Sequence, residues 1–144
     1  MTIHRCADCG AVNEAPPRGA PGCVRCRRPL DVSGRPQEVD AAALVSAIRA
    51  FPAPVLVDFS APEDRTEALE RVAVEEVGRL LVLRIDPRAQ PAAAEAFGVW
   101  RGPTWVLFSG GAEIARRFGV PCPVDLGAWV ATARAAHPRS PEAA

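Results

Sequence analysis

Residues 55–62 read Val55-Leu56-Val57-Asp58-Phe59-Ser60-Ala61-Pro62, with Pro52 and Pro54 just upstream. The first five are short, rich in β-branched side chains and almost continuously apolar. Such a run is a strand covered on both faces, because a strand with one wet face alternates polar and apolar residues. Asp58 interrupts the run, so the pattern that buries the strand also buries a carboxyl. A buried carboxyl needs a proton or hydrogen-bond partners, from a hydroxyl, the backbone or water.

Upstream of this strand, Gln37-Glu38-Val39 suits a short edge strand. Asp40 is placed to cap a helix whose apolar positions Leu44, Val45, Ile48 and Phe51 share one face before the prolines end it. Downstream, a second helix is expected over about 62–77, with Leu69, Val72, Ala73, Val77 and Leu80 as its apolar face and Gly78 as its stop. Ser60-Ala61-Pro62-Glu63 and Asp64-Arg65-Thr66-Glu67 both read as capping boxes for that helix, and their carboxylates suit the positive end of its dipole. Residues 80–85 form a second buried strand, and Pro91 opens a short helix that stops at Gly98. Thr104-Trp105-Val106-Leu107-Phe108, Gly110-Gly111 and residues 113–118 then carry a hairpin signature. The last helix, 125–136, buries Leu126, Trp129, Val130 and Ala133. The order β-α-β-α-β-α-β-β-α predicts an α/β fold, a mixed central sheet flanked by helices.

Ahead of this body lie two pairs, Cys6-Ala7-Asp8-Cys9 and Cys23-Val24-Arg25-Cys26. Each Cys-x-x-Cys turn can aim both thiolates at one tetrahedral zinc. The stretch between them holds Pro16, Pro17, Gly19, Pro21 and Gly22, which prevents a long helix or a core of its own, so a metal would supply the missing order. Two redox-active dithiols are the alternative. Arg25, Arg27 and Arg28 either offset the charge of a zinc tetrathiolate or contact phosphate. His4 is expected to be exposed and idle, since four cysteines complete the tetrahedron. Residues 1–33 thus read as a zinc ribbon, 31–36 as a linker, 37–137 as the main domain and 138–144 as a flexible tail.

The 144 residues contain 17 Lys+Arg against 17 Asp+Glu, all 17 bases being arginine, which leaves no positive excess for nucleic-acid binding. No stretch approaches the roughly 18–20 uninterrupted apolar residues that span a membrane, and no apolar run follows a basic start. The expected location is the cytoplasm, where reduced thiols favour metal over disulfides.

The element order resembles the thioredoxin fold. Val57-Asp58-Phe59-Ser60-Ala61-Pro62 is similar to the strand that leads into that family's active-site turn. Phe97-Gly98-Val99-Trp100-Arg101-Gly102-Pro103-Thr104 is similar to the approach to its cis-proline, and the hairpin Leu107-Phe108-Ser109-Gly110-Gly111 follows. With the cysteine pairs in front, residues 3 to about 135 resemble the zinc-ribbon thioredoxins of the thioredoxin-2 type.

The resemblance places the family's Trp-Cys-Gly-Pro-Cys on Glu63-Asp64-Arg65-Thr66-Glu67. Neither Asp64 nor Glu67 can form a mixed or cyclic disulfide, which implies a redox-inactive site. Asp58 matches the family's buried acid, and the lysine that usually neighbours it falls on Val82. Pro103 matches the cis-proline; Gly102 before it implies a backbone offered to an extended peptide, with Gly119 bordering the same face. Trp100 can add to that face, whereas Trp105 and Trp129 suit the core. Cys122, in the loop before the last helix, is either a small packed residue or a lone reactive thiol that cannot resolve a mixed disulfide internally. The implied function is a zinc-containing module that binds a protein or peptide client. The alternatives are a divergent thiol-disulfide oxidoreductase using Cys122 or the ribbon cysteines, with thioredoxin reductase as partner, and a sensor whose oxidised ribbon releases zinc.

Overall fold

The computed structural model describes residues 1–16, 18–100, 102–119 and 123–137. In chain order the elements are β1 (Thr2–Arg5), β2 (Val12–Ala15), β3 (Gln37–Glu38), α1 (Ala41–Ala50), β4 (Val55–Phe59) and α2 (Glu67–Glu75). They continue with β5 (Leu81–Ile85), α3 (Pro91–Ala96), β6 (Thr104–Ser109), β7 (Ala112–Phe118) and α4 (Pro123–Ala136). The apolar run at 55–59 is the middle strand of a five-stranded sheet ordered β3-β5-β4-β6-β7, and all five of its residues are buried. β3 and β4 run parallel to β5, while β6 and β7 are antiparallel, so the expected mixed sheet is present.

Strand alternation sorts the core into two layers. Val55, Val57 and Phe59 face one way with Leu83, Ile85, Val106 and Phe108, and pack against Leu44, Ile48 and Phe51 of the α1 segment. Leu56 faces the other way with Val82, Trp105 and Leu107, under Leu69 and Val72 of α2 and Leu126 and Val130 of α4. Each such large side chain contributes about 1.5–3 kcal/mol by leaving water. Asp40 caps α1 as its sequence position suggests, its Oδ1 accepting from the Ala43 N–H at 2.8 Å. At the β6–β7 turn Gly110 and Gly111 both have positive φ, which the tight two-residue loop requires.

Three local expectations need correction. The second helix is not continuous over 62–77: residues Pro62–Asp64 form a 3₁₀ turn, Arg65 and Thr66 are extended, and α2 begins at Glu67. Neither capping box forms. Ser60 N–H instead continues the sheet ladder to Ile85 O at 3.2 Å, and the Thr66 carbonyl is taken by Arg84 at 3.2 Å. The ribbon contains an antiparallel hairpin of β1 and β2. His4 lies on that hairpin, buried rather than exposed, with Nε2 2.5 Å from Thr2 Oγ1.

Candidate functional site

The two cysteine turns share one backbone pattern. Cys6 N–H donates to Ala11 O at 2.9 Å and Gly10 N–H to Cys6 O at 2.8 Å; Cys23 N–H donates to Arg28 O at 2.8 Å and Arg27 N–H to Cys23 O at 3.0 Å. In both, the residue after the second cysteine is left-handed, Gly10 at φ 80° and Arg27 at φ 70°. The turns bring all four sulfurs within 4.8 Å of one another, with Cys6 Sγ 3.7 Å from Cys26 Sγ and Cys9 Sγ 3.6 Å from Cys23 Sγ. Sulfurs held tetrahedrally about 2.3 Å from a zinc-sized ion are about 3.8 Å apart, so this donor set fits a four-coordinate metal.

Asn13, which the sequence reading passed over, joins the two turns. It is buried on β2, its Nδ2 lies 3.5 Å from Cys23 Sγ, and its Oδ1 accepts from Val24 N–H at 2.9 Å. The Cys26 backbone N–H, followed by the Arg25 N–H and the Asn13 amide, pulls the Cys23 thiol down to about 6. Donors aimed at a sulfur favour its thiolate, the form that binds metal. Arg25 donates to Cys9 O and Arg28 pairs with Asp8 at 3.5 Å, so two of the three nearby arginines are bonded to the first turn.

At the other end of the sheet, Asp58 meets two partners directly across the strand pairings. β4 sets Asp58 opposite Arg84 on β5 and Trp105 on β6. Arg84 Nε lies 3.2 Å from Asp58 Oδ2, and Trp105 Nε1 donates to Oδ1 at 2.8 Å. Val82, at the position the resemblance gives to the family's lysine, pairs with Leu56, and the cation beside Asp58 is Arg84 instead. Burial is the largest influence on Asp58 and pushes its carboxyl above the ordinary range, with the Ser60 hydroxyl, Arg84 and Trp105 pulling it back.

Arg84 also binds the start of α2, through Nη1 to Glu70 Oε1 at 3.1 Å and Nη2 to Thr66 O at 3.2 Å. Arg65 forks onto Glu38 at 2.6 and 3.0 Å, and Arg88 holds Glu63 at 2.8 Å. The segment carrying Asp64 and Glu67 is therefore tied to β3, β5 and the β5–α3 turn by arginines. Asp64 and Glu67 are both exposed. The sequence does hold a signal for Arg84: Val55-Leu-Val-Asp58-Phe and Leu81-Val-Leu-Arg84-Ile each carry their one charge at the fourth place, and parallel register aligns fourth with fourth.

The Gly102–Pro103 peptide bond is cis. A Cβ on Gly102 would come 3.3 Å from Phe59 O, which sets this loop against the end of β4 where the 60–66 segment departs. Gly119 N–H donates to Pro103 O at 2.9 Å, bringing the three expected face residues together. Two aromatic side chains flank them in sequence, Trp100 at 83% exposure and Phe118 at 57%. Trp105 is buried in the core as its position suggested, whereas Trp129, expected to be buried on the last helix, is half-buried and packs against that core. Cys122 and the 138–144 tail lie outside the described residues. No helix among the described residues is long and apolar enough to cross a membrane.

No protein-family model matches the chain. Over 71 residues it is 39% identical to a thioredoxin of Chlamydia muridarum (strain MoPn / Nigg), an alignment spanning 46% of this chain and 69% of the relative. Among solved structures, a mutant thioredoxin from Halobacterium salinarum NRC-1 is similar at a TM-score of 0.59 and 26% identity, over 69% of this chain and 91% of that one. A designed protein reaches a TM-score of 0.60 at 20% identity, over 68% of this chain and 96% of its own, a likeness of fold alone. The sheet order, the cis-proline beside the end of β4 and a thioredoxin matched over more than two thirds of its length agree: the chain belongs to the thioredoxin family.

Proposed function

We propose that this chain is a thioredoxin-family binding protein without dithiol chemistry at the β4–α2 turn. In this reading it carries a structural zinc in its four-cysteine site and offers the Gly102–Pro103 face to an extended segment of a client protein. The observation that carries the reading is the content of the turn: Asp64 and Glu67 stand where the family resemblance puts sulfurs. Disulfide exchange needs a thiolate that bonds to sulfur and a second thiol that displaces it, and a carboxylate can do neither.

Peptide binding needs no sulfur. An extended segment pairs through its backbone and is held by side-chain contacts, for which exposed Trp100 and Phe118 supply large surfaces with few rotatable bonds. At the opposite end, four cysteines with no open position are a donor set of the kind that holds zinc for structure. When bound, the zinc would order the two turns. Cys6, Cys9, Cys23 and Cys26 would hold it as thiolates, with Asn13 orienting Cys23. A reducing cytoplasm keeps those thiols available for metal.

Two measurements test the reading. The zinc-loaded protein should not accelerate reduction of insulin disulfides with either dithiothreitol or thioredoxin reductase as electron source; turnover above the uncatalysed rate overturns the redox-inactive part. Titration with reduced, carboxymethylated insulin B chain should shift the emission of Trp100, lose that signal in Trp100→Phe, and weaken in Gly102→Val. A signal unaffected by Gly102→Val overturns the assignment of the face.

A further inference from the structure

The ribbon hairpin is joined to the larger sheet by a reciprocal pair of hydrogen bonds. Arg5 Nη1 donates to Gln37 Oε1 at 2.8 Å, and Gln37 Nε2 donates back to the Arg5 carbonyl at 2.8 Å. Gln37 belongs to β3, the edge strand, and Arg5 directly precedes the ligand residue Cys6. Arg5 is buried, and its guanidinium lies over the first cysteine turn, where a Cβ on Gly10 would come 3.3 Å from Nη2. It is near enough to interact electrostatically with Cys6 and Cys9.

The surrounding contacts are equally close. A Cβ on Gly78 would meet Thr2 Cβ at 2.8 Å, and one on Gly34 would meet Ala73 O at 2.7 Å. Ile3 packs against the core layer that holds Phe51 and Leu81. The 31–36 stretch, expected to be a linker, is therefore seated on α2 and the turn after it.

We propose that Arg5 couples metal occupancy of the four-cysteine site to the β3 edge of the sheet, acting as a positioning residue through its two-way bond with Gln37. The inference rests on the reading of the four cysteines as a metal site. A divalent ion with four thiolates carries two net negative charges, and Arg5 is a buried cation packed on that cluster. Its carbonyl is one peptide unit from Cys6, whose N–H is fixed by Ala11 O in the turn. Loss of the ion removes both the charge that Arg5 faces and the constraint on the Cys6 turn. Gln37 then loses its donor and its acceptor together. Because coupling between two sites is reciprocal, weakening the Gln37 bond must weaken metal binding by the same factor.

The test uses the full chain with and without zinc, read by hydrogen exchange at the Val39 amide, which bonds Arg84 O at 3.0 Å and closes the β3–β5 pairing. Stripping zinc from the wild-type protein should raise exchange at Val39 about five- to tenfold. Gln37→Met, which keeps the side-chain length and removes both bonds, should lower zinc affinity by a similar factor against a chromophoric chelator and make Val39 exchange independent of zinc. A purely structural Gln37, remote from the sulfurs, would leave zinc affinity unchanged. A wild-type protein whose Val39 exchange ignores zinc, or a Gln37→Met protein with unaltered zinc affinity, overturns the coupling and leaves the metal reading standing. A wild-type protein that takes up no zinc overturns both.

Discussion

The ribbon and the β4–α2 turn are both irregular and both short of apolar side chains, yet they are held by different chemistry. In the ribbon the buried apolar residues are Ala11, Ala15 and Leu30 beside Cys6 and Cys23, far too little area to fold a module alone. In the proposed reading, a metal held by the four converging sulfurs makes up the difference. At residues 60–66, Arg65, Arg84 and Arg88 bind Glu38, the Thr66 carbonyl and Glu63, and no sulfur is involved. In this thioredoxin-family chain the described thiols cluster at the ribbon, while the turn that the family resemblance associates with sulfur chemistry is braced by ion pairs. The comparison separates the scaffold from its chemistry: cis-Pro103 and the seating of Gly102 on the end of β4 are present without a cysteine in the turn.

The largest expected effect breaks the ribbon side. With the proposed zinc bound, Cys23→Ser, or a strong chelator, removes one of four ligands or the ion itself, and zinc binding in small finger modules is worth about 10–16 kcal/mol. Amide protection of β1 and β2 should collapse, while the α1 and α4 core stays protected. Unchanged hairpin protection after verified metal loss would mean that Leu30 and the alanines suffice.

Next in size is the buried ion pair on the other side. Asp58 and Arg84 side chains are 2% and 10% exposed, so removing one partner strands a charge in the core. Arg84→Met should cost about 3–5 kcal/mol in urea unfolding. Adding Asp58→Asn to it should recover a large part, because the orphaned charge then disappears. A double variant no more stable than Arg84→Met would show that the Thr66 and Glu70 contacts, not the pair, carry the loss.

A smaller effect comes from titrating Asp58. Its native carboxyl is raised above the unfolded value by burial, so the native state holds the proton more tightly than the unfolded state. Stability from this group is then fully present below the unfolded value near 3.8 and falls as pH rises to the native value, after which it is level. A tenfold difference in proton affinity between the two states corresponds to about 1.4 kcal/mol. The stability difference between wild type and Asp58→Asn, measured by urea midpoint from pH 4 to 7, should move against the wild type as pH rises. A flat or opposite trend would mean that Arg84 and Trp105 outweigh burial.

Most of the sheet was legible because it is written in runs. Residues 55–59, 81–85 and 104–108 are apolar blocks between prolines and glycines, and Asp40 and Gly110-Gly111 punctuate them in the usual way. The four cysteines were equally plain by spacing. The break in the second helix was not legible, because local propensity at 60–67 favours helix twice over and is overruled by arginines from β5 and the turn after it. His4 and Asn13 were missed or misjudged for a related reason: the hairpin that buries them is only four residues a side and carries no apolar run. The cationic partner of Asp58 was missed: with the family's lysine position falling on Val82, the acid is left to a proton, a hydroxyl, the backbone or water, although the matched fourth positions of two strands point to Arg84.

The smallest effect sharpens the comparison between two arginines that hold the 60–67 segment, Arg65 with its exposed partner Glu38 and Arg84 with its buried partner Asp58. Arg65 forks onto Glu38, which is 57% exposed at its side chain, so solvent screens the pair despite its good geometry. Arg65→Met keeps the aliphatic stem and should cost about 0.5–1 kcal/mol at low salt. At 1 M salt the Debye length is about 3 Å, and that cost should shrink towards zero. The cost of Arg84→Met should barely change, since its partner Asp58 is out of reach of ions. Urea midpoints of both variants at 0.1 and 1 M sodium chloride make the comparison directly. An Arg65→Met cost that survives high salt would mean that the turn is held by packing of the Arg65 stem between β3 and Ser60, and the ion-pair account of that segment would reduce to Arg84 and Arg88.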